Sequence, residues 1–137
     1  MIDKRTAPYA ALLLRLSLGA LFLAHAGLKL FVFTPAGTAH YFASLGLPAG
    51  MGYFTIAWEL CGGIALILGL WPRIVALCMI PDLLGAIALV HAHVGFFFTD
   101  TGGGWEYPGF WAVALLALAL TGDGMWTLRP TPAVGGA

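Results

Sequence analysis

Four long apolar stretches dominate this sequence and restrict the architectures that the chain can adopt. They run over about residues 9–33, 53–71, 74–97 and 105–125. A helix needs roughly 20 apolar residues to cross the hydrocarbon core of a bilayer. Backbone groups inside that core must be hydrogen-bonded within the protein, which favours helices. The sequence therefore predicts an all-α integral membrane protein in which residues 1–137 form one domain, a four-helix bundle.

The composition supports a membrane environment. The chain is 61% hydrophobic and 9% charged, with a mean hydropathy of +0.93, whereas soluble domains are about 25% charged. The net charge is zero, so we expect the lipid bilayer as a partner and no nucleic acid. Cys61 and Cys78 lie in apolar stretches without a CxxC motif, which predicts two buried, unpaired thiols.

Glycine and proline mark the connections between the stretches. Residues 34–52 form the first connection, in which residues 38–45 fit a short interfacial helix. The turn at residues 71–73 is tight, so the second and third helices should be antiparallel neighbours. Three glycines at residues 102–104 mark the third connection, and residues 128–137 are expected to form a loose tail.

The basic residues outside the spans predict the orientation. Lys4 and Arg5 precede the first helix, Arg73 lies between the second and third, and Arg129 follows the fourth. The other two connections contain neither lysine nor arginine. By the positive-inside rule, both termini and the middle turn face the cytoplasm.

Several ionisable residues lie inside the predicted spans, where a charge costs about 2.5–3.5 kcal/mol on insertion scales. Arg15 and Asp82 fall in the inner half of the membrane when depth is counted at about 1.5 Å per residue. We therefore expect them to form a structural ion pair that fixes helix register.

A second group of ionisable residues falls in the outer half. It comprises His25, Lys29, Glu59, Glu106 and either His91 or His93, between which periodicity cannot decide. Such a cluster could be a structural network, a proton or ligand site, or a metal site. The metal interpretation is the weakest, because no two histidines have the i, i+4 spacing of helical metal ligands, and no metal is predicted.

Five segments in order resemble the DoxX family of small four-helix membrane proteins. The residues that carry the resemblance are Arg15-Leu-Ser-Leu-Gly19 with Phe22, His25 and Lys29; Phe42-Ala-Ser-Leu-Gly-Leu-Pro48; Glu59-x-x-Gly62-Gly63 with Leu66 and Gly69; Val90-His91 with Gly95-Phe96-Phe97; and Gly103-Gly104-Trp105-Glu106. The likeness extends from about residue 9 to residue 124. Asp82 and His93 are not part of it.

The resemblance implies a multi-pass protein of the bacterial cytoplasmic (inner) membrane with a link to redox metabolism. It suggests a quinone- or lipid-facing accessory subunit of an oxidoreductase that works with a redox protein partner, with a quinone as the implied ligand. Glu59 and His25 would then be catalytic, while Lys29, His91 and Glu106 would bind the ligand. Two alternatives remain, a non-catalytic membrane scaffold or assembly factor and a small transporter that would need a homo-oligomer.

Overall fold

The computed structural model describes residues 3–132, and within that range the fold is entirely helical. Two α-helices continue into a short π-helical turn, in which the backbone hydrogen bonds run from residue i to i+5. The helices are α1 (Ala7–Gly27, continued by the π-helical turn Leu28–Val32), α2 (Pro35–Ser44), α3 (Gly50–Leu68), α4 (Pro72–Ala86, continued by the π-helical turn Ile87–His91) and α5 (Glu106–Thr121).

Three of these segments are long and apolar enough to cross a membrane, namely Ala7–Val32, Gly50–Leu68 and Pro72–His91. The last helix, α5, is apolar but has only 16 residues. The short helix expected near residues 38–45 is present as α2, which begins at Pro35. Thr34 caps α2, because its Oγ1 accepts a hydrogen bond from the backbone N–H of Gly37 at 3.1 Å.

The long helices form a closed arrangement in which each has two neighbours. Helix α1 contacts α3 and α5, and α4 contacts α5 and α3, so α1 lies diagonally opposite α4. Helices α3 and α4, which the tight turn at residues 71–73 predicted to be neighbours, are thus in contact. Helix α2 packs on α3 and on the π-helical turn after α1.

The bundle has a core of buried apolar side chains. Its largest fully buried apolar side chains include Phe22, Leu66, Met79, Leu115 and Leu118. Most exposed large side chains are also apolar, as expected for a surface that faces lipid. Burial of these core side chains from four helices fixes the positions of the polar groups described below.

Two glycines lie where helices α1 and α3 contact each other. A Cβ atom built on Gly19 would lie 2.9 Å from the carbonyl oxygen of Gly63, and one on Gly63 would lie 3.0 Å from that of Gly19. The first distance is too short for a side chain to be added without a shift, and the second is at the limit of what real side chains show. Both glycines thus allow α1 and α3 to pack closely.

The chain after α5 folds back across one end of the bundle. Leu128 N–H donates to the carbonyl of Leu68 at 3.2 Å, and Arg129 N–H donates to that of Gly69 at 3.0 Å. Trp71 N–H donates in turn to the carbonyl of Arg129 at 2.7 Å. Residues 128 and 129, where a loose tail was expected to begin, therefore contact the α3–α4 turn, while residues 133–137 lie outside the described range.

Candidate functional site

A cavity of about 670 Å³ lies between the helices at the end opposite this fold-back. This volume is in the range of pockets that hold small organic ligands. Its polar side chains gather on one side, and apolar and aromatic side chains form the rest of the wall. The ionisable members of the lining are His25, Lys29, Tyr41, Glu59, Cys78, Asp82 and Tyr107.

A buried ion pair occupies the polar side of the cavity. The Lys29 ammonium donates to both carboxylate oxygens of Glu59, at 2.9 and 2.8 Å. Lys29 lies in the π-helical turn that continues α1, and Glu59 lies in the middle of α3. The Glu59 side chain is 7% exposed and that of Lys29 is 18% exposed, so this pair links the two helices at the cavity wall.

Asp82 joins this pair from α4. The Asp82 carboxyl lies near that of Glu59, and both border the cavity. Two carboxylates brought together in a buried site repel each other, which favours a proton on one of them. Three helices thus bring one ammonium and two carboxyls together at the cavity wall. A cluster of this composition can hold an extra proton.

His25 completes the polar side. Its Nδ1 lies 3.0 Å from the carbonyl oxygen of Leu21, one turn earlier in α1. A carbonyl only accepts hydrogen bonds, so Nδ1 must carry a proton and the neutral ring has a bare Nε2. The ring packs against Trp111, with the centroids 4.9 Å apart.

Aromatic side chains form much of the remaining wall. Phe54 and Trp58 stack on α3 with centroids 5.5 Å apart, and both line the cavity. Trp111 of α5 also lines it and is only 5% exposed, and no partner among the described residues bonds to its buried Nε1–H. The site therefore combines aromatic surfaces with a few clustered polar groups, which is typical of sites for flat organic ligands.

Two predicted ligand-binding residues do not line the cavity. His91 Nδ1 donates to the carbonyl of Gly103 at 2.7 Å, and its Nε2 accepts from the Tyr107 hydroxyl at 2.9 Å. Glu106 accepts a hydrogen bond from the backbone N–H of Phe98 at 2.6 Å. Both residues thus hold the loop between α4 and α5, and Tyr107, the hydrogen-bond partner of His91, lines the cavity.

Neither His91 nor His93 lines the cavity, but the two histidines differ in burial. His91 is half-buried with both ring nitrogens bonded, whereas His93 is exposed. Cys61 and Cys78, expected to be buried, are both exposed on the bundle surface, although Cys78 also borders the cavity. No group of three histidine, cysteine, aspartate or glutamate side chains in residues 3–132 is placed to hold a metal ion.

The predicted ion pair between Arg15 and Asp82 does not form. Arg15 is 1% exposed and donates to three backbone carbonyls, those of Asp123, Met125 and Trp126, at 3.1–3.2 Å. Asp82 lies instead at the cavity beside Glu59. Counting depth along straight helices placed the two residues at one level, but it could not foresee that the chain after α5 returns to supply Arg15 with partners.

Taken together, the helices and the polar cavity define a helical membrane protein with an internal ligand-sized site. The sequence profile of the DoxX family matches residues 10–92. A relative from Bacillus subtilis (strain 168), named "Putative oxidoreductase CatD", is 37% identical over 119 residues, which cover 87% of this chain and 84% of the relative. No solved structure gives a significant match. The chain belongs to the DoxX family of membrane proteins.

Proposed function

We propose that this protein is a quinone-binding subunit of the bacterial inner membrane that serves a redox partner. The observation that carries the proposal is the cavity of about 670 Å³ with the Lys29–Glu59 pair, His25 and Asp82 on one side and aromatic side chains on the other. A quinone ring needs flat apolar surfaces, and its oxygens need polar partners. The name of the Bacillus relative, an oxidoreductase, agrees with this chemistry.

The roles of the polar residues follow from their positions. Glu59 and His25 would exchange protons with the ring oxygens, because both border the cavity and both can change protonation state. Lys29 would hold Glu59 in place through its two hydrogen bonds. His91 and Glu106 would act at a distance, by fixing the loop that precedes α5.

The membrane arrangement that accompanies this proposal has four spans and both termini in the cytoplasm. The backbone bonds of Met125 to Pro8 and of Trp71 to Arg129 bring the start of α1, the α3–α4 turn and the end of α5 to one end of the bundle. Lys4, Arg5, Arg73 and Arg129 flank these segments. The positive-inside rule assigns that end to the cytoplasm, so the cavity lies toward the outer face.

A scaffold function is the rival interpretation, and the Lys29–Glu59 bridge is the observation that favours it. A bidentate pair between α1 and α3 would hold two helices in register even if no ligand ever entered the cavity. The two interpretations differ in what purification should yield. A scaffold would carry no specific small molecule, whereas a quinone-binding subunit should retain one.

Mass spectrometry of an organic extract tests the proposal. Protein purified in mild detergent should carry a quinone at near-stoichiometric level, and Glu59→Gln should lower its occupancy at least about tenfold, since the neutral amide breaks the Lys29–Glu59 ion pair that fixes the polar side of the cavity. Asp100→Asn is the matched control, because Asp100 lies outside the cavity lining and has no part in the proposed chemistry, and it should retain the quinone. Absence of any quinone from folded wild-type protein would reject the proposal in favour of the scaffold.

A further inference from the structure

The hydrogen-bonding capacity of the cavity differs for the two redox forms of a quinone. A quinone carbonyl oxygen can only accept hydrogen bonds, whereas a quinol hydroxyl can both donate and accept. The groups that line the polar side therefore discriminate between the forms if some of them can only accept. His25 and Asp82 each present an acceptor of this kind that has no donor among residues 3–132.

His25 offers an acceptor to the cavity. Its Nδ1–H is already committed to the Leu21 carbonyl, so in the neutral ring Nε2 carries a lone pair. No side chain or backbone donor in residues 3–132 bonds to this Nε2, and the half-buried ring borders the cavity. A ligand hydroxyl placed there would donate a hydrogen bond to Nε2. A ligand carbonyl oxygen would form none, because its lone pairs would face the lone pair of Nε2.

Asp82 offers a second acceptor. The carboxyl is half-buried at the cavity wall near the Glu59 carboxyl, the Lys29 ammonium and the His25 ring, and no N–H group of residues 3–132 donates a hydrogen bond to it. Even when the two carboxyls share one proton, at least one Asp82 oxygen keeps free lone pairs. Lys29 makes no hydrogen bond to Asp82, since both hydrogen bonds of its ammonium go to Glu59.

The donors near the cavity do not reverse this preference. The Trp111 N–H, which has no partner among the described residues, and the third N–H of Lys29 can donate to a carbonyl or to a hydroxyl oxygen equally well. Only the acceptors distinguish the two forms. A polar group left unpaired in a buried site lowers affinity more than a formed hydrogen bond raises it.

We propose that this cavity binds the reduced, hydroxyl-bearing form of its ligand, a quinol, in preference to the oxidised quinone, through His25 Nε2 and the Asp82 carboxyl. The inference rests on the proposed function and adds a direction to it. By linkage, tighter binding of the quinol makes the bound quinone easier to reduce than the free one. The preference for a quinol also assigns a role to Asp82, which is not among the residues that carry the family resemblance.

Anaerobic isothermal titration calorimetry with a short-chain ubiquinone and its ubiquinol tests the preference on detergent-purified full-length protein. We expect the quinol to bind about tenfold more tightly, the size of effect for one or two hydrogen bonds. Asp82→Asn should bring the two affinities to within about threefold, because an amide can also donate to a carbonyl. Asp100→Asn makes the same change outside the cavity and should leave the tenfold ratio intact.

A second pair of variants protects the test against misfolding of Asp82→Asn. His25→Phe removes both ring nitrogens and should also reduce the ratio, while His93→Phe, at an exposed position, should not. If wild-type protein binds both forms but binds the quinone as tightly as the quinol, the preference is refuted and quinone binding stands. If it binds neither form, the proposed function itself fails.

Discussion

The two ends of the bundle each bury one basic side chain from the first span, but they satisfy it in different ways. At one end, which we call the clamp end, Arg15 is 1% exposed and donates to three carbonyls of the segment after α5. At the other, the cavity end, the Lys29 ammonium donates to both oxygens of Glu59. The first arrangement closes the bundle, whereas the second borders a cavity of about 670 Å³.

This difference separates structural from functional burial of charge. Backbone carbonyls cannot change protonation state, so Arg15 can only hold the returning segment in place. Carboxyls can gain or lose a proton, and the Glu59–Asp82 pair has a cavity beside it into which a ligand can enter. We therefore expect substitutions at the clamp end to change stability and those at the cavity end to change binding.

The largest expected effect is loss of stability in Arg15→Leu. The substitution removes three charge-assisted hydrogen bonds and leaves the carbonyls of residues 123, 125 and 126 without this donor. We expect a loss of about 3 kcal/mol or more in the free energy of unfolding. Denaturation in mixed detergent and SDS micelles, followed by circular dichroism, measures it.

Arg129→Leu is the control for this substitution. The Arg129 backbone bonds to Gly69 and Trp71, but its side chain is exposed and makes no hydrogen bond within residues 3–132, so its loss should cost less than about 0.5 kcal/mol. Equal destabilisation by the two variants would contradict the assignment of Arg15 as a clamp and with it the contrast between the ends.

A smaller loss is expected for Gly69→Ala, which disturbs the same clamp from the other side. Gly69 ends α3 in the left-handed conformation, with φ of 70°. A Cβ atom there would overlap the Arg15 guanidinium and lie 2.8 Å from Cα of Thr127. Together, backbone strain and this overlap should cost about 1–3 kcal/mol, measured in the same detergent denaturation series.

Gly27→Ala provides the matched comparison at the cavity end of α1. Gly27 is helical, and a Cβ atom there would have no neighbour within 4 Å. Alanine is the better helix former, so the variant should be as stable as the wild type or more stable by up to about 1 kcal/mol. A Gly69→Ala variant that behaved like Gly27→Ala would show that the returning segment is not tightly held.

More of the residues at the cavity end than at the clamp end could be predicted from the sequence. The outer cluster of His25, Lys29 and Glu59 followed from depth, and the structure brings these three residues to one cavity. Glu106 and His91 were placed at the right level, but they bond to the α4–α5 loop. Depth counting gives a residue's height in the membrane and says little about which neighbour it faces.

The rest depended on contacts that are distant in sequence. The hydrogen-bond partners of Arg15 lie more than 100 residues away along the chain, in a segment without a periodic apolar pattern. No local sequence pattern therefore predicts them. The π-helical turns at Leu28–Val32 and Ile87–His91 also have no sequence signature, although such turns occur often at functional sites. The sequence indicated that Asp82 is an acid inside a span, but it did not indicate that Glu59 is its neighbour.

The smallest expected effect, a several-fold change in a labelling rate, tests occupancy of the cavity end directly. Cys78 and Cys61 are both free and exposed, but only Cys78 borders the cavity. A saturating short-chain ubiquinone should slow alkylation of Cys78 by N-ethylmaleimide about three- to tenfold, because the ligand covers one side of the thiol, and should leave Cys61 unchanged. This fully substituted quinone has no free ring position for thiol addition, so mass spectrometry reads the maleimide alone.

Each cysteine serves as the internal reference for the other, since both react in the same micelle with the same reagent. Slowing at both sites would indicate a general effect of quinone in the detergent rather than binding in the cavity. An unchanged rate at Cys78 in protein that binds the quinone by calorimetry would place the ligand elsewhere. In that case the polar cluster at the cavity end would be, like Arg15 at the clamp end, a means of holding helices together.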